Sequence, residues 1–450
     1  MRGDGGRLVS WAGSALLIAA AFSAQGAEPV SSRTVVIVPY ATTDLAREEQ
    51  WLGEGVAQIL ALALTQHPAF IQVDRARLAR LGEPHLWGEP AVLAAARTVK
   101  ADLALYGQIQ RVSGDLVFAP RYLEVRSGAG EWRTLEAVTV PEDKLLEQIP
   151  SVPLAYFRAL RVSLSDAETA RIEKASRPTS VPRAFEAFVR GRGAALRGNQ
   201  QGYEAAADLL ARAVELDPSF VVAQYSLGVV HQALGNRWKA AAQFRASTQL
   251  DPSYPEPFKA LGDLFLSAPR RLYDQAVEAY QKALELRPFY AEAHVGLGDA
   301  RAAKGDADGA VAAYQRALSH NPTNPKVHLS LGRIYYSEKG LYYEAVEAYK
   351  KAIDLDPQFL EARMALGEVY EDKGLYRDAI GQYRTVVDLD PKHTGALYNL
   401  ALVHEKVDPR EAIAHWERYI AVASQLPAEK DWVDVARQHL KKLKSQVNKP

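Results

Sequence analysis

The chain has 450 residues, 48% of them hydrophobic and 24% charged, with 54 Lys+Arg against 54 Asp+Glu and no cysteine. That length exceeds one compact core and calls for two or three domains or a repeat array. The balanced charge supplies no basic field to neutralise phosphates, which argues against nucleic acid, and the missing cysteines exclude disulfide frameworks, thiolate metal sites and cysteine nucleophiles.

Residues 1–26 read as a secretory signal peptide. Arg2 and Arg7 precede an apolar stretch from Leu8 to Ala24, and small residues around Ala24 offer cleavage points. The stretch is broken by Ser and Gly and falls short of the roughly 20 apolar residues that span a bilayer, which favours cleavage over an N-terminal membrane anchor. No later segment is apolar enough to cross a membrane. The expectation is a periplasmic or secreted protein without a transmembrane segment in its mature chain.

Residues 33–140 mix strand and helix signals. "TVVIVPY" is a β-branched run that suits a buried strand. "EEQWLGEGVAQILALALTQ" spaces Trp51, Leu52, Val56, Ile59 and Leu60 as a helix does. "FIQVDR" is a short strand, "PAVLAAARTVK" a second helix, and three further strands follow with hairpin turns at Ser113-Gly114 and Ser127-Gly128. The order β-α-β-α-β-β-β predicts a small α/β domain. The run "VVIVPY…LGEGVAQILALAL…FIQVDR…DLALYGQIQRVSGDLVFAPRYLEVRSG" resembles the amino-terminal domain of TolB-like proteins. That resemblance implies protein contacts in the cell envelope and carries no catalytic residues. Residues 141–182 read as a helical linker ending in the Pro/Ser-rich "SRPTSVPR".

From Arg183 a period appears. Prolines close segments at Pro218, Pro252, Pro288, Pro322, Pro357 and Pro391, spaced by 34, 36, 34, 35 and 34 residues. "AAAQFRASTQLDP" and "EAVEAYKKAIDLDP" typify the ends, "YSLGVVH" and "MALGEVY" the starts that follow. A 34-residue period with this pattern resembles the tetratricopeptide repeat (TPR). About seven repeats are expected over residues 183–427, then a C-terminal capping helix and basic tail over 428–450, with Trp432, Ala436, Leu440 and Leu443 on one stripe. The fold class is α+β, mainly α: a small α/β domain followed by a TPR α-solenoid, a right-handed superhelix of helix pairs.

Within this frame the histidines read as packing residues and not as ligands. His231 and His404 share a repeat position with Phe265, Arg301, Tyr335 and Tyr370, so they read as large fillers of an inter-helix space. No HExxH or Cys/His spacing occurs, and no metal site is predicted. "GRGAALRG" does not follow a predicted strand and fails the context of a phosphate loop. No nucleophile–base set is visible, so neither catalytic residues nor a cofactor are expected.

The TPR resemblance places repeat positions 2, 5, 9, 12 and 13 on the concave face. There stand Tyr225, Val229, Lys259, Asp263, Asp299, Lys326, Arg333, Tyr336, Glu368, Glu371, Tyr398 and Leu402, with Leu329 and Asp372 also in the set. Some members clamp a C-terminal carboxylate with a Lys/Asn/Asn/Lys/Arg set. Lys259 and Lys326 match its lysines, but Asp263, Gly296 and Ser330 replace the rest. The function this implies is an exported, non-enzymatic adaptor whose groove binds protein or peptide partners in a cell-envelope assembly. The alternative is an accessory or carbohydrate-binding subunit of an exopolysaccharide or cell-wall machinery.

Overall fold

The computed structural model describes residues 32–125 and 132–447. The predicted signal peptide and the turn at Ser127-Gly128 lie outside them. The chain is α+β and mainly helical, a small sheet domain followed by a helical solenoid.

The sheet is built from β1 (Arg33–Ile37), β2 (Phe70–Gln72), β3 (Leu103–Val112), β4 (Asp115–Glu124), β5 (Trp132–Thr134) and β6 (Val138–Val140). Strand order is β2-β1-β3-β4-β5, with β6 also paired to β4. β1 is parallel to β2 and β3, whereas β3 and β4 form the long antiparallel hairpin. Its turn is at Ser113 and Gly114, whose φ values of 53° and 96° are those a tight hairpin turn demands.

Helices α1 (Trp51–Leu64), α2 (Arg75–Ala79) and α3 (Glu89–Thr98) join the strands. α1 is buried on nearly every face, from Leu52 to Leu64, so it is a central helix rather than an amphipathic cover. Its second side is covered by the segment expected to be a linker. That segment forms α4 (Leu145–Gln148), α5 (Ser151–Ala159) and α6 (Asp166–Ser176). Tyr156, Phe157 and Ile172 there are fully buried. The Tyr156 hydroxyl donates to the Tyr106 carbonyl at 2.9 Å and shares a 2.6 Å hydrogen bond with Tyr40, tying α5 to the sheet.

The solenoid is seven antiparallel pairs: α7 (Pro182–Ala195) with α8 (Gln200–Leu216), α9 (Val221–Ala233) with α10 (Arg237–Leu250), α11 (Pro255–Leu266) with α12 (Tyr273–Leu286), α13 (Ala291–Ala303) with α14 (Ala307–His320), α15 (Pro325–Ser337) with α16 (Tyr342–Leu355), α17 (Leu360–Asp372) with α18 (Tyr376–Leu389), and α19 (Thr394–Val407) with α20 (Pro409–Ala423). α21 (Lys430–Val447) packs on α20 and buries Val433, Ala436 and Leu443.

Each closing proline acts on its predecessor. Asp217, Asp251, Arg287, Asn321, Asp356 and Asp390 all sit near φ −142° to −132° and ψ 88° to 95°, outside the helical region. The Asp and Asn side chains then accept from the backbone two residues on, as Asp251 does from Ser253 N at 3.0 Å, turning the chain into the next helix. Inside the first six pairs, a glycine lets the helices approach, and Ala401 takes its place in the seventh. A Cβ on Gly262 would fall 2.7 Å from the Tyr280 ring, and one on Gly332 2.5 Å from Tyr349.

Candidate functional site

The concave face is built by the first helix of each pair, and its columns follow from the glycine register. With Gly191, Gly228, Gly262, Gly298, Gly332 and Gly367 aligned, position 9 reads Arg192, Val229, Asp263, Asp299, Arg333, Glu368 and Leu402. The structure divides this face into three stretches.

Over the first repeats the N-terminal domain covers it. Trp51 of α1 meets Phe185 of α7 edge-on at 5.9 Å. Arg75 pairs with Glu54 in the same domain, and this pair stands over Arg192. Burial and then the neighbouring Arg75 cation hold the Arg192 guanidinium pKa below its usual value. The β2 edge (Phe70, Ile71, Gln72) faces Arg287, Tyr290 and Glu292 across a small cleft. Lys174 of α6 reaches Asp251 at 2.7 Å, and the Thr179 hydroxyl donates to Asp217 at 2.5 Å. Tyr225 and Val229 therefore do not line a free groove. The Tyr225 ring packs on Phe244 and Tyr254, each at 5.7 Å, and Val229 packs against the Ala240–Phe244–Leu261 cluster.

In the middle stretch the groove charges are already partnered. Lys259 Nζ is 2.7 Å from Asp263 Oδ2, and Tyr280 donates to Asp263 Oδ1 at 2.7 Å. Tyr314 donates to Asp299 at 2.5 Å. These tyrosines come from second helices and reach the groove through the space their glycines leave. The carboxylates are therefore floor acceptors as well as surface charges. Glu256, another groove position, is paired with the buried Arg287 at 2.7 Å.

Burial, with Asp263 nearby, raises the Asp299 pKa. A carboxyl whose folded pKa lies above its unfolded value favours the fold below the unfolded pKa, and that contribution is lost as pH rises through the folded value. Asp299→Asn, which keeps an acceptor for Tyr314, is expected to raise stability at pH 7 by up to about 1 kcal/mol. The advantage should vanish near pH 4 in denaturant melts; a constant difference across pH would refute it.

The last stretch is open. Lys326 and Arg333 are exposed, and neither side chain has a hydrogen bond or close ion pair. Tyr336 donates to Asp372 at 2.6 Å, and burial together with that carboxylate pushes its phenol up to about 12. Glu371 accepts from Tyr383 at 3.1 Å, and burial raises both Glu371 and Glu368, with Asp372 adding to each. Leu329 is buried rather than groove-lining. Tyr398 and Leu402 join the terminal core, Tyr398 edge-on to Trp416, Tyr419 and Trp432 at 5.1–5.5 Å. Trp432, expected on the buried stripe, is 55% exposed, because the stripe that docks begins at Val433.

Two features escaped sequence reasoning. A cleft of about 890 Å³ opens between the N-terminal domain and the first repeat, lined by Tyr40, Arg75, His85, Trp87 and Arg197 among others. Its components are far apart in sequence and no motif marks it. In the seventh repeat, His404, Glu411 and His415 present ligand atoms within 4.8 Å of one another, although no metal site was predicted. Glu411 and His415 are i,i+4 on α20, but His404 arrives from α19 with no recognised spacing.

These stacked pairs, with a glycine-and-aromatic step and a concave first-helix face, define an α-solenoid. A family model described as tetratricopeptide repeat matches residues 192–255, 260–325 and 364–427, and a TPR repeat model matches 336–374, so the helical array is made of tetratricopeptide repeats. The chain is 28% identical over 121 residues to Small glutamine-rich tetratricopeptide repeat-containing protein 2 of Mycosarcoma maydis, covering 24% of this chain and 34% of that protein. It is 26% identical over 215 residues to Putative adenylate cyclase 3 of Rhizobium meliloti (strain 1021), covering 46% and 34%. The aligned parts span about a third of these relatives. Among solved structures it is similar to MamA, at 28% identity and a TM-score of 0.34, over 37% of this chain and 95% of that one. Among the described residues, no helix is long and apolar enough to cross a membrane.

Proposed function

We propose that the protein is a non-enzymatic scaffold that binds an extended segment of a protein partner across the concave face of α15, α17 and α19. The observation that carries this reading is the contrast between stretches. In repeats three and four Lys259, Asp263, Glu256 and Asp299 are paired within the chain, whereas Lys326 and Arg333 on α15 are exposed without a side-chain hydrogen bond or close ion pair, and Glu368, Glu371 and Asp372 follow on α17. A partner with an acidic residue set against the cations and a basic one against the carboxylates complements that surface. The same reading makes the N-terminal domain TolB-like and the chain exported to a cell-envelope assembly. Its support is the resemblance of residues 33–140 and the Arg-flanked apolar run of residues 1–26.

Photo-crosslinkers placed at Arg333 and at Tyr225 in cells test the binding surface. The Arg333 site should trap discrete proteins, and the Tyr225 site should yield mainly links within the chain. Arg333→Glu, with the crosslinker moved to Tyr336, should weaken capture by about tenfold or more. Absence of protein adducts from the open stretch, or glycan adducts alone, would overturn the proposal.

A further inference from the structure

The seventh repeat holds a buried imidazole that packing alone does not explain. His404 is 3% exposed, and neither ring nitrogen has a hydrogen-bond partner. The column it shares with Phe265, Tyr335 and Tyr370 accounts for a planar ring there but not for two desolvated nitrogens, which cost stability unless something satisfies them. What the nitrogens face is chemically specific. His404 Nδ1 is 3.4 Å from Glu411 Oε2, and the His404 and His415 rings lie stacked with centroids 4.4 Å apart. Zn–N and Zn–O bonds of about 2.0–2.2 Å in a tetrahedral site require ligand atoms roughly 3.3 Å apart, close to the His404–Glu411 separation, and the three ligand atoms together lie within 4.8 Å of one another. Burial lowers the pKa of both imidazoles. Arg384 and Arg418 stand nearby and Asp408 offsets them in part.

We propose that His404, Glu411 and His415 form a binding site for one divalent transition ion of the zinc class, which fastens α19 to α20. Two imidazoles and one carboxylate select a borderline ion over Mg²⁺ or Ca²⁺, and three protein ligands leave a fourth position to solvent. His231, in the same column, marks the contrast: its Nδ1 is also unpartnered, but its charged neighbour is Lys239, which repels a cation.

The test is calorimetric titration of ZnCl2 into the full chain after treatment with a chelator, with MgCl2 as the comparison. One Zn²⁺ per chain is expected, with a rise in melting temperature, and no heat from Mg²⁺. His404→Phe keeps a ring of the kind found in that column, and His415→Ala alters a half-exposed position, so the two differ in their risk to folding. Each should weaken zinc binding by about 100-fold and remove the thermal shift, Glu411→Gln should weaken it by about tenfold, and His231→Phe should leave it unchanged. Zinc binding that survives both His404→Phe and His415→Ala, or no zinc binding at millimolar concentration, would overturn the site.

Discussion

Phe185→Ala is expected to destabilise the protein by about 3–5 kcal/mol and to uncouple the N-terminal domain from the repeats. Phe185 is 2% exposed, lies edge-on to Trp51 and stacks on Phe188 at 6.2 Å. A Cβ added at Gly55 would fall 3.3 Å from the Phe185 ring, so α1 and α7 meet with no slack to refill the lost volume. The core that contains Phe185 runs unbroken from Val35 in β1 to Val230 in α9. A shared core makes the two parts unfold together, and a cavity at its centre allows them to part. In the native protein, hydrogen exchange in α1, α7 and α9 should therefore rise through one opening event. In the variant, α1 and α7 should lose protection first, and a crosslinker at Tyr225 should begin to capture external proteins. Unchanged cooperativity in Phe185→Ala would show that the smaller polar ties, such as Lys174 to Asp251 and Thr179 to Asp217, hold the domains without it.

That coupling bears on how partners are read. A superhelix of seven repeats presents seven sets of concave side chains, yet here the molecule supplies its own occupant for the first of them. Arg192 lies by Arg75 and Glu54, and Tyr225 packs against Phe244 and Tyr254, so both meet the chain's own residues before any partner arrives. Binding energy from an external segment has to come from groups whose partner is still water. Lys326 and Arg333 come nearest to that condition: both are exposed with no side-chain hydrogen bond or close ion pair, though Arg333 already stands near enough to Glu368 to offset part of the burial-driven rise in its pKa.

The repeats were legible because their rules are local. A proline that forces Asp251 out of the helical region, a glycine that makes room for Tyr280, and Gly235 at φ 77° are each decided within a few residues. The hairpin at Ser113-Gly114 is legible for the same reason. The groove's occupancy is decided by contacts across the chain, such as Trp51 on Phe185 and the β2 edge facing Arg287 and Tyr290, which leave no periodic trace. The predicted linker failed as a linker because Tyr156, Phe157 and Ile172 are too apolar to stay in water once α1 offers a second face. Trp432 was misassigned by one residue of helical phase, enough to move it from the docked stripe to its edge. The His404–Glu411–His415 cluster was hidden because each histidine has an adequate reading as a repeat filler when taken singly.

Trp416→Ala should cost about 3–5 kcal/mol, and the loss should be confined to the C-terminal end. Trp416 is fully buried, with Tyr398 at 5.1 Å, Tyr419 at 6.1 Å and His439 of the capping helix at 5.1 Å. Its indole N–H donates to Glu405 Oε1 at 2.7 Å, an oxygen that also lies 2.8 Å from His439 Nδ1. Removing the indole leaves a large cavity and takes one donor from a groove carboxylate, so α21 loses both an apolar and a polar attachment. In an array whose units touch mainly their neighbours, such damage frays the nearest end instead of melting the whole. Amide exchange in α19 to α21 should accelerate by two orders of magnitude or more, while α1 and α7 to α12 keep native rates. Trp416→Phe, which retains most of the volume, should show a smaller loss. The two variants together separate packing from the Glu405 hydrogen bond, since both abolish the donor and only one empties the core. A uniform loss of protection along the chain would contradict the end-localised picture, and would mean that the seven repeats and the N-terminal domain behave as one cooperative body.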